Sequence, residues 1–294
     1  MAERPTARPA SRRFREVDAY RAHREWLRYE GTGQRDLYRQ LRERFLLRHA
    51  SGPGWVLDLG SGPGRFLPFV GQEESRRVAL DLSREMLALV PDAWTASGAP
   101  GAMPDRVLGN ALRAPFVRGR WAEVIAIGNM LGFAGREAEP MLGEAEDLVA
   151  PGGKLVIEIA PGPGERSKYL ARLPPKSAAR LLRAPKRVVL ARLDREGFRT
   201  EEFRRAPRDT FRRFSVAELE NRYRRKGWSV ADVESVAPLL GPDSARAAAV
   251  RTDDKAWWRL LELEEEVGRR PERWPEAAAV LLCVQAPTSD HTIK

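Results

Sequence analysis

Asp58, Gly60, Gly62 and Gly64 stand at alternate positions in the run Val56-Leu57-Asp58-Leu59-Gly60-Ser61-Gly62-Pro63-Gly64. The apolar residues read as a buried parallel strand, and the glycines as a tight turn that lies close against a ligand and opens a helix. A nucleotide-like ligand is the first implication, and the acid narrows it. Asp58 falls inside the strand end, where a carboxylate meets a cationic amino group but would repel a pyrophosphate. The dinucleotide fingerprint puts its third glycine three positions after the second, where this chain has Arg65. A nucleoside bearing an amino acid fits both facts.

A second acid follows at the right distance. Arg77-Val78-Ala79-Leu80-Asp81 reads as a second strand whose last residue falls 23 positions after Asp58. A carboxylate at that tip accepts both hydroxyl protons of a ribose. Ser83 is placed to cap the next helix, with Met86 one turn in.

The string from Asp58 to Gly64 resembles the first motif of the class I S-adenosylmethionine-dependent methyltransferases: an acid, one residue, then glycines at alternate positions. That resemblance makes Asp58, Gly60, Gly62, Gly64 and Asp81 binding residues for the methyl donor, S-adenosyl-L-methionine, and puts Leu82 and Met86 on the adenine face. The family commonly carries an acid followed by alanine at the next station. Here Asn110 precedes Ala111, and its amide oxygen can still accept from the adenine amine. The next strand, Trp121 to Ile127, breaks at Gly128-Asn129. Ligands of doubly wound sheets sit beyond the carboxyl ends of the strands, so main chain at Gly128 would touch the methionine part and Asn129 would face the acceptor. Glu158 lies in the otherwise apolar run after Pro151-Gly152-Gly153, read as a turn followed by a strand. A charge there needs a partner or a function: it binds or deprotonates the acceptor, or pairs with a helix arginine.

The elements that must position these residues give an α/β fold. By resemblance it is a Rossmann-like seven-stranded sheet, mostly parallel with its last strand antiparallel, helices on both faces. Residues 51–287 form this domain. Residues 1–50 are a disordered start followed by two helices split at Gly31-Thr32-Gly33; by resemblance these cover the donor as a lid, with Tyr20, Trp26, Tyr29 and Tyr38 as its candidate side chains, each of which also reads as core packing. Residues 163–210 are an insertion after strand 5 that walls the acceptor pocket, with Val188-Val189-Leu190 as a candidate strand. Ser215 and Glu218 spell a capping box for a helix that stops at Gly227. A strand from Trp228 to Val236, a polar helix around Asp253 to Val267, and a strand from Ala277 to Val284 complete the core, leaving 288–294 as a tail.

The 294 residues carry a net charge of +10, spread as +6 over 1–50, −4 over 51–162, +12 over 163–226 and −4 over 227–294. Basic segments of this kind attract RNA, DNA or small anions. Arginine outnumbers lysine 44 to 7, however, a bias of composition, and no nucleic-acid-binding signature accompanies it. One cysteine, Cys283, excludes an intramolecular disulfide framework and favours a cytoplasmic setting. No apolar run has the ~18 residues of a membrane helix, the first residues lack a signal-peptide core, and three scattered histidines make no metal set. The expectation is methyl transfer to an oxygen, nitrogen or carbon nucleophile, with a small-molecule acceptor favoured. The alternatives are an RNA or tRNA methyltransferase that uses the basic segments, and a non-catalytic binder of the donor.

Overall fold

Seven strands, β1 (Trp55–Leu59), β2 (Arg76–Asp81), β3 (Asp105–Leu108), β4 (Trp121–Ala126), β5 (Val149–Ile159), β6 (Ser229–Val236) and β7 (Ala279–Gln285), pair into one sheet in the order 3-2-1-4-5-7-6. The chain is described here from a computed structural model over residues 33–160, 175–189, 214–240, 244–277 and 279–288. β1 to β5 are parallel, and β7 runs antiparallel between β5 and β6. β1 pairs with β2 on one side and β4 on the other, so strand order reverses beside β1. A crevice opens at the carboxyl ends of the strands at such a switch point.

Strands covered on both faces must be apolar on both, and β1 shows it: Val56 packs into one cluster, Leu57 and Leu59 into the other. On the first face lie α1 (Gly33–His49), α2 (Arg84–Ala88) and α3 (Val90–Ser97). The second face carries α4 (Met130–Ala134) and α5 (Ala138–Leu148). Beyond β5, α6 (Pro175–Leu182) joins the first face and α7 (Val216–Arg225) the second. The last two helices, α8 (Ser244–Arg251) and α9 (Asp254–Gly268), pack on the first face around α1. The expected capping box is present: Ser215 Oγ accepts from Glu218 N at 3.1 Å and opens α7.

Four expectations change. The glycine turn does not open an α-helix; a three-residue 3₁₀ turn, Leu67–Phe69, follows it and ends at extended Val70. Pro68 is the physical reason: it has no N–H to donate to Gly64 O, so an α-helix begun at the glycine turn cannot run through it, and only the i→i+3 bond from Leu67 N to Gly64 O forms. Pro151-Gly152-Gly153 is not a free turn but a bulge within β5, where the register jumps from Trp121 opposite Val149 to Glu123 opposite Lys154. Residues 186–189 are helical, so Val188 and Val189 do not form a strand; Leu190 lies outside the described residues.

The fourth change concerns the lid. The described part of the N-terminal segment, α1, is a core helix: Leu37, Leu41, Phe45 and Leu46 are buried against the sheet, α8 and α9. α1 occupies the layer that a helix after β1 would have shared. Tyr38 is partly buried on it. Tyr20, Trp26, Tyr29, the split at residues 31–33 and most of the insertion lie outside the described residues, as does the tail from residue 289.

A lid side chain can be cut without unfolding the domain, whereas a core one cannot. Phe45→Ala is therefore expected to cost about 3–5 kcal/mol in denaturant unfolding, and a loss below about 0.5 kcal/mol, the level of surface substitutions, would return α1 to the role of a lid.

Candidate active site

The glycine turn is tied to the end of β2 by its own amides. Gly60 N and Ser61 N both donate to Leu80 O, at 2.8 and 3.0 Å, and Gly62 N donates to Asp81 Oδ2 at 2.8 Å. The other Asp81 oxygen accepts from Ser83 N at 2.8 Å. Asp81 thus does for Gly62 what a ligand anion would do at a helix N-terminus. Burial raises its pKa, and the backbone N–H groups of Ser83 and Gly62 pull it back. Ser83 caps α2 as expected, with Oγ accepting from Met86 N at 3.1 Å.

Of the three glycines, only Gly60 borders the cavity beyond the strand ends. It has φ +67°, and a Cβ there would lie 2.5 Å from Met130 Sδ, so only glycine lets the α4 methionine close over the turn. Gly64 instead packs away from the cavity, on Leu67 and Val90.

Asp58 faces the α1 layer from the centre of the sheet and is 2 % exposed. No hydrogen-bond partner reaches its Oδ2. Burial, with a smaller contribution from the Asp81 charge, pushes its pKa up from the ordinary 3.8 to about 8. A buried carboxylate in this state is a ready partner for a cation.

The cavity of about 240 Å³ is walled by Gly60, Leu80, Asp81, Leu82, Ser83 and Gly109 on one side and by Ala111, Ile127, Gly128, Met130 and Phe133 on the other. Its lining is apolar except for Asp81, Ser83 and main chain, which suits a flat heterocycle. Leu82 and Phe133 stand at its mouth, 46 % and 56 % exposed. Met86 and Asn110 do not border it. Asn110 Oδ1 accepts from Leu112 N at 2.9 Å and caps the short 3₁₀ turn that carries Ala111 into the wall. Ala134 and Met141 also line the cavity and were not singled out in the sequence. The signal for them was the break at Gly128-Asn129, because the helices after that strand must cover the crevice.

Past β4 the chain turns at Gly128 and Asn129, both with positive φ, 82° and 61°. Asn129 Oδ1 is buried with no partner. Glu158 is fully buried, and its carboxylate is taken in a fork by Arg42 of α1, Nε to Oε2 at 2.6 Å and Nη2 to Oε1 at 2.7 Å. Gly128 N donates to the same Oε2 at 3.1 Å. Of the two expectations for Glu158, the pair with a helix arginine is the one formed. Asn129 and Glu158 do not border the cavity wall; Gly128 and Met130 connect them to it.

Among the described residues no group of three or more histidine, cysteine or acidic side chains is arranged for a metal, and no helix is long and apolar enough to cross a membrane. Cys283 is buried in β7, and burial pushes its thiol up to about 12.

Residues 56–153 match the family model described as a methyltransferase domain. No curated protein matches the sequence. Two solved structures share the fold over nearly the whole chain. One is a chain of the complex between the Haloferax volcanii Trm112 methyltransferase activator and a methyltransferase (18% identity, 95% of this chain and 99% of that one, TM-score 0.52). The other is the magnesium protoporphyrin IX methyltransferase of Synechocystis PCC 6803 with bound SAH (13% identity, 94% and 97%, TM-score 0.52).

The raised pKa of Asp58 has a sign for stability. The folded state holds a proton that the unfolded state has released, so stability is full below about pH 4 and falls as pH rises towards about 8. Asp58→Asn removes that penalty. Unfolding free energies of the variant and parent are expected to diverge in the variant's favour by on the order of 5 kcal/mol between pH 4 and pH 9; a difference constant with pH would contradict the buried, unpaired state.

Proposed function

We propose that this chain, whose residues 56–153 form a methyltransferase domain of the class I S-adenosylmethionine-dependent kind, binds S-adenosyl-L-methionine at the carboxyl ends of β1, β2 and β4 and transfers its methyl group to an oxygen, nitrogen or carbon nucleophile of a small molecule. The observation that carries this reading is Asp58, a buried carboxyl group whose Oδ2 lacks a partner; it does not itself border the cavity, but Gly60, two residues on, does. The donor's ammonium group answers Asp58. The carboxylate of Asp81, which borders the cavity, suits the ribose hydroxyls, and the apolar wall at Leu82 and Ala111 suits the adenine.

When bound, S-adenosylmethionine supplies a methyl group already activated on a sulfonium. The protein's own work is placement and exclusion of water. Gly128 and Met130 border the cavity where the reacting end of the donor would lie, and Asn129, with its buried unpartnered Oδ1, is the residue we assign to orienting the acceptor. Glu158 is not assigned as a base, since Arg42 and the Gly128 amide hold its carboxylate. A proton on the acceptor leaves to solvent or to a group the acceptor brings with it.

A small molecule is preferred to a nucleic acid as acceptor for a reason of charge. In the basic segment 163–226, four of the described cations are paired with acids, Arg183 with Asp253, Lys186 with Glu266, and Arg222 and Lys226 with Glu146, while Arg224 and Arg225 bond Asn221. A solved structure with the same fold is that of a magnesium protoporphyrin IX methyltransferase, which agrees with a small acceptor.

Calorimetry with S-adenosylhomocysteine tests the donor site. Asp81→Ala is expected to bind at least about tenfold more weakly, the loss expected from removing a charged hydrogen-bond acceptor; unchanged affinity sinks the ribose assignment. At pH 7 the incoming ammonium should drive Asp58 to release its proton. The binding heat will then depend on the ionisation enthalpy of the buffer, and that dependence will vanish in Asp58→Asn. Incubation of the protein with methyl-labelled donor and a metabolite extract should label a small molecule; label only in RNA would redirect the acceptor assignment.

A further inference from the structure

The corner between β4 and α4 is held in an unfavourable shape. Gly128 and Asn129 are successive residues of positive φ, and Asn129 makes no side-chain capping bond to α4. A non-glycine residue keeps such a conformation only where its surroundings over-determine it. Two bonds do so here: Phe133 N donates to Asn129 O at 3.0 Å, and Gly128 N donates to Glu158 Oε2 at 3.1 Å. The second bond reaches out of the site into the core.

Register explains why Glu158 is the residue that meets this corner. Ala126, the last residue of β4, lies opposite Ile157 of β5, so Glu158 stands one step further on, level with the point where β4 has ended. Val156 packs into the α1-side cluster and Ile157 into the other, so the side chain at 158 points towards α1. There Arg42 closes on it in a fork, and Arg42 Nη1 also donates to Tyr38 O at 3.2 Å, which ties the guanidinium to its own helix. Both members of the pair are buried, 6 % and 0 % exposed. An ion pair removed from water in this way gains little net stability over apolar side chains of similar volume. Its distinctive product is geometry: a planar fork fixes where the carboxylate oxygens lie.

We propose that Arg42 and Glu158 are positioning residues for the active site: α1, through Arg42, fixes the Glu158 carboxylate, which fixes the Gly128 amide and thereby sets Asn129 and Met130 against the donor. The helix before the domain's first strand is on this view a working part of the site. The inference rests on the assignment of the cavity to the donor.

Two double variants separate positioning from packing. Arg42→Met with Glu158→Met exchanges the buried pair for apolar side chains, a change that commonly preserves or raises stability, and leaves Gly128 N–H without its acceptor. Arg42→Met with Glu158→Gln restores an acceptor oxygen at the same point. With S-adenosylhomocysteine as the probe, calorimetry should find the first variant at least about tenfold weaker than the unsubstituted protein at an equal or higher Tm, and the second within about threefold of it. Equal affinity in the two double variants overturns the proposal and leaves the pair a packing feature. A reading free of substitutions is the hydrogen exchange of the Gly128 amide, expected to be slow although the residue is exposed; exchange at the rate of an open loop also overturns the proposal. If the unsubstituted protein binds no S-adenosylhomocysteine, the donor-site assignment fails, while the Gly128 amide still reports whether the clamp exists.

Discussion

Asp58 is fixed between two neighbouring strands, opposite Ala79 on one side and Ile125 on the other, so the backbone cannot carry its carboxylate to water. That immobility governs the edge of the sheet where the cavity lies. Desolvation raises the pKa of Asp58, and the Asp81 charge raises it further. Desolvation raises Asp81 too. Two acids near the same strand ends, both starved of solvent, form a site in which a single incoming cation stabilises the ionised form of each. The electrostatics thus favour a cationic ligand before any shape is considered, and a ligand with an anionic group at that point would meet opposition from both.

The sheet contains a third acid at this edge, and the three are satisfied differently. Asp81 is served by backbone amides, and in return clips the glycine turn to β2 in place of the α-helix that Pro68 prevents. Glu158 is served by Arg42 and the Gly128 amide. Asp58 alone among them keeps an oxygen without a partner. The first two acids hold backbone in place, and the third keeps an unanswered oxygen. A buried polar group without a partner costs stability, and such costs concentrate where a protein works.

Much of this was legible in the residue order. The strand ends near Asp81 and Gly128 and the Ser83 and Ser215 caps follow from local rules: apolar runs bounded by turn residues, and hydroxyls three residues before a free amide; the antiparallel last strand followed from the family resemblance. What was not legible depended on partners distant in the chain. Arg42 and Glu158 are 116 residues apart, and nothing local marks Arg42 among the many arginines of the N-terminal segment. α1 read as a lid by resemblance to related methyltransferases, whose N-terminal helical segment covers the donor, and its apolar residues are interleaved with charges. Tertiary structure uses those charges, since arginine stems pack on the core while their heads reach buried acids. The failure at Pro68 was of another kind. The glycine turn reads locally as the start of a helix, but Pro68, four residues after Gly64, has no N–H to continue it.

The same pairing explains why a net charge of +10 says little about a basic binding face. α1 is joined to β1 through the short stretch 50–54 and is secured along the rest of its length by side chains. Arg44 and Arg48 both hold Glu265 of α9, each at 2.7 Å, and Arg48 also reaches Glu234 of β6, which Arg269 approaches from the other side at 3.3 Å. Glu234 is buried deeply enough to raise its pKa to about 7 despite these cations. Next to them His49 meets Asp232 at 2.9 Å. Arg42 is the same kind of fastening directed at a different acid. The fold therefore employs one device twice, at the outer strands to hold α1 on the sheet and at Glu158 to let α1 hold the active-site corner.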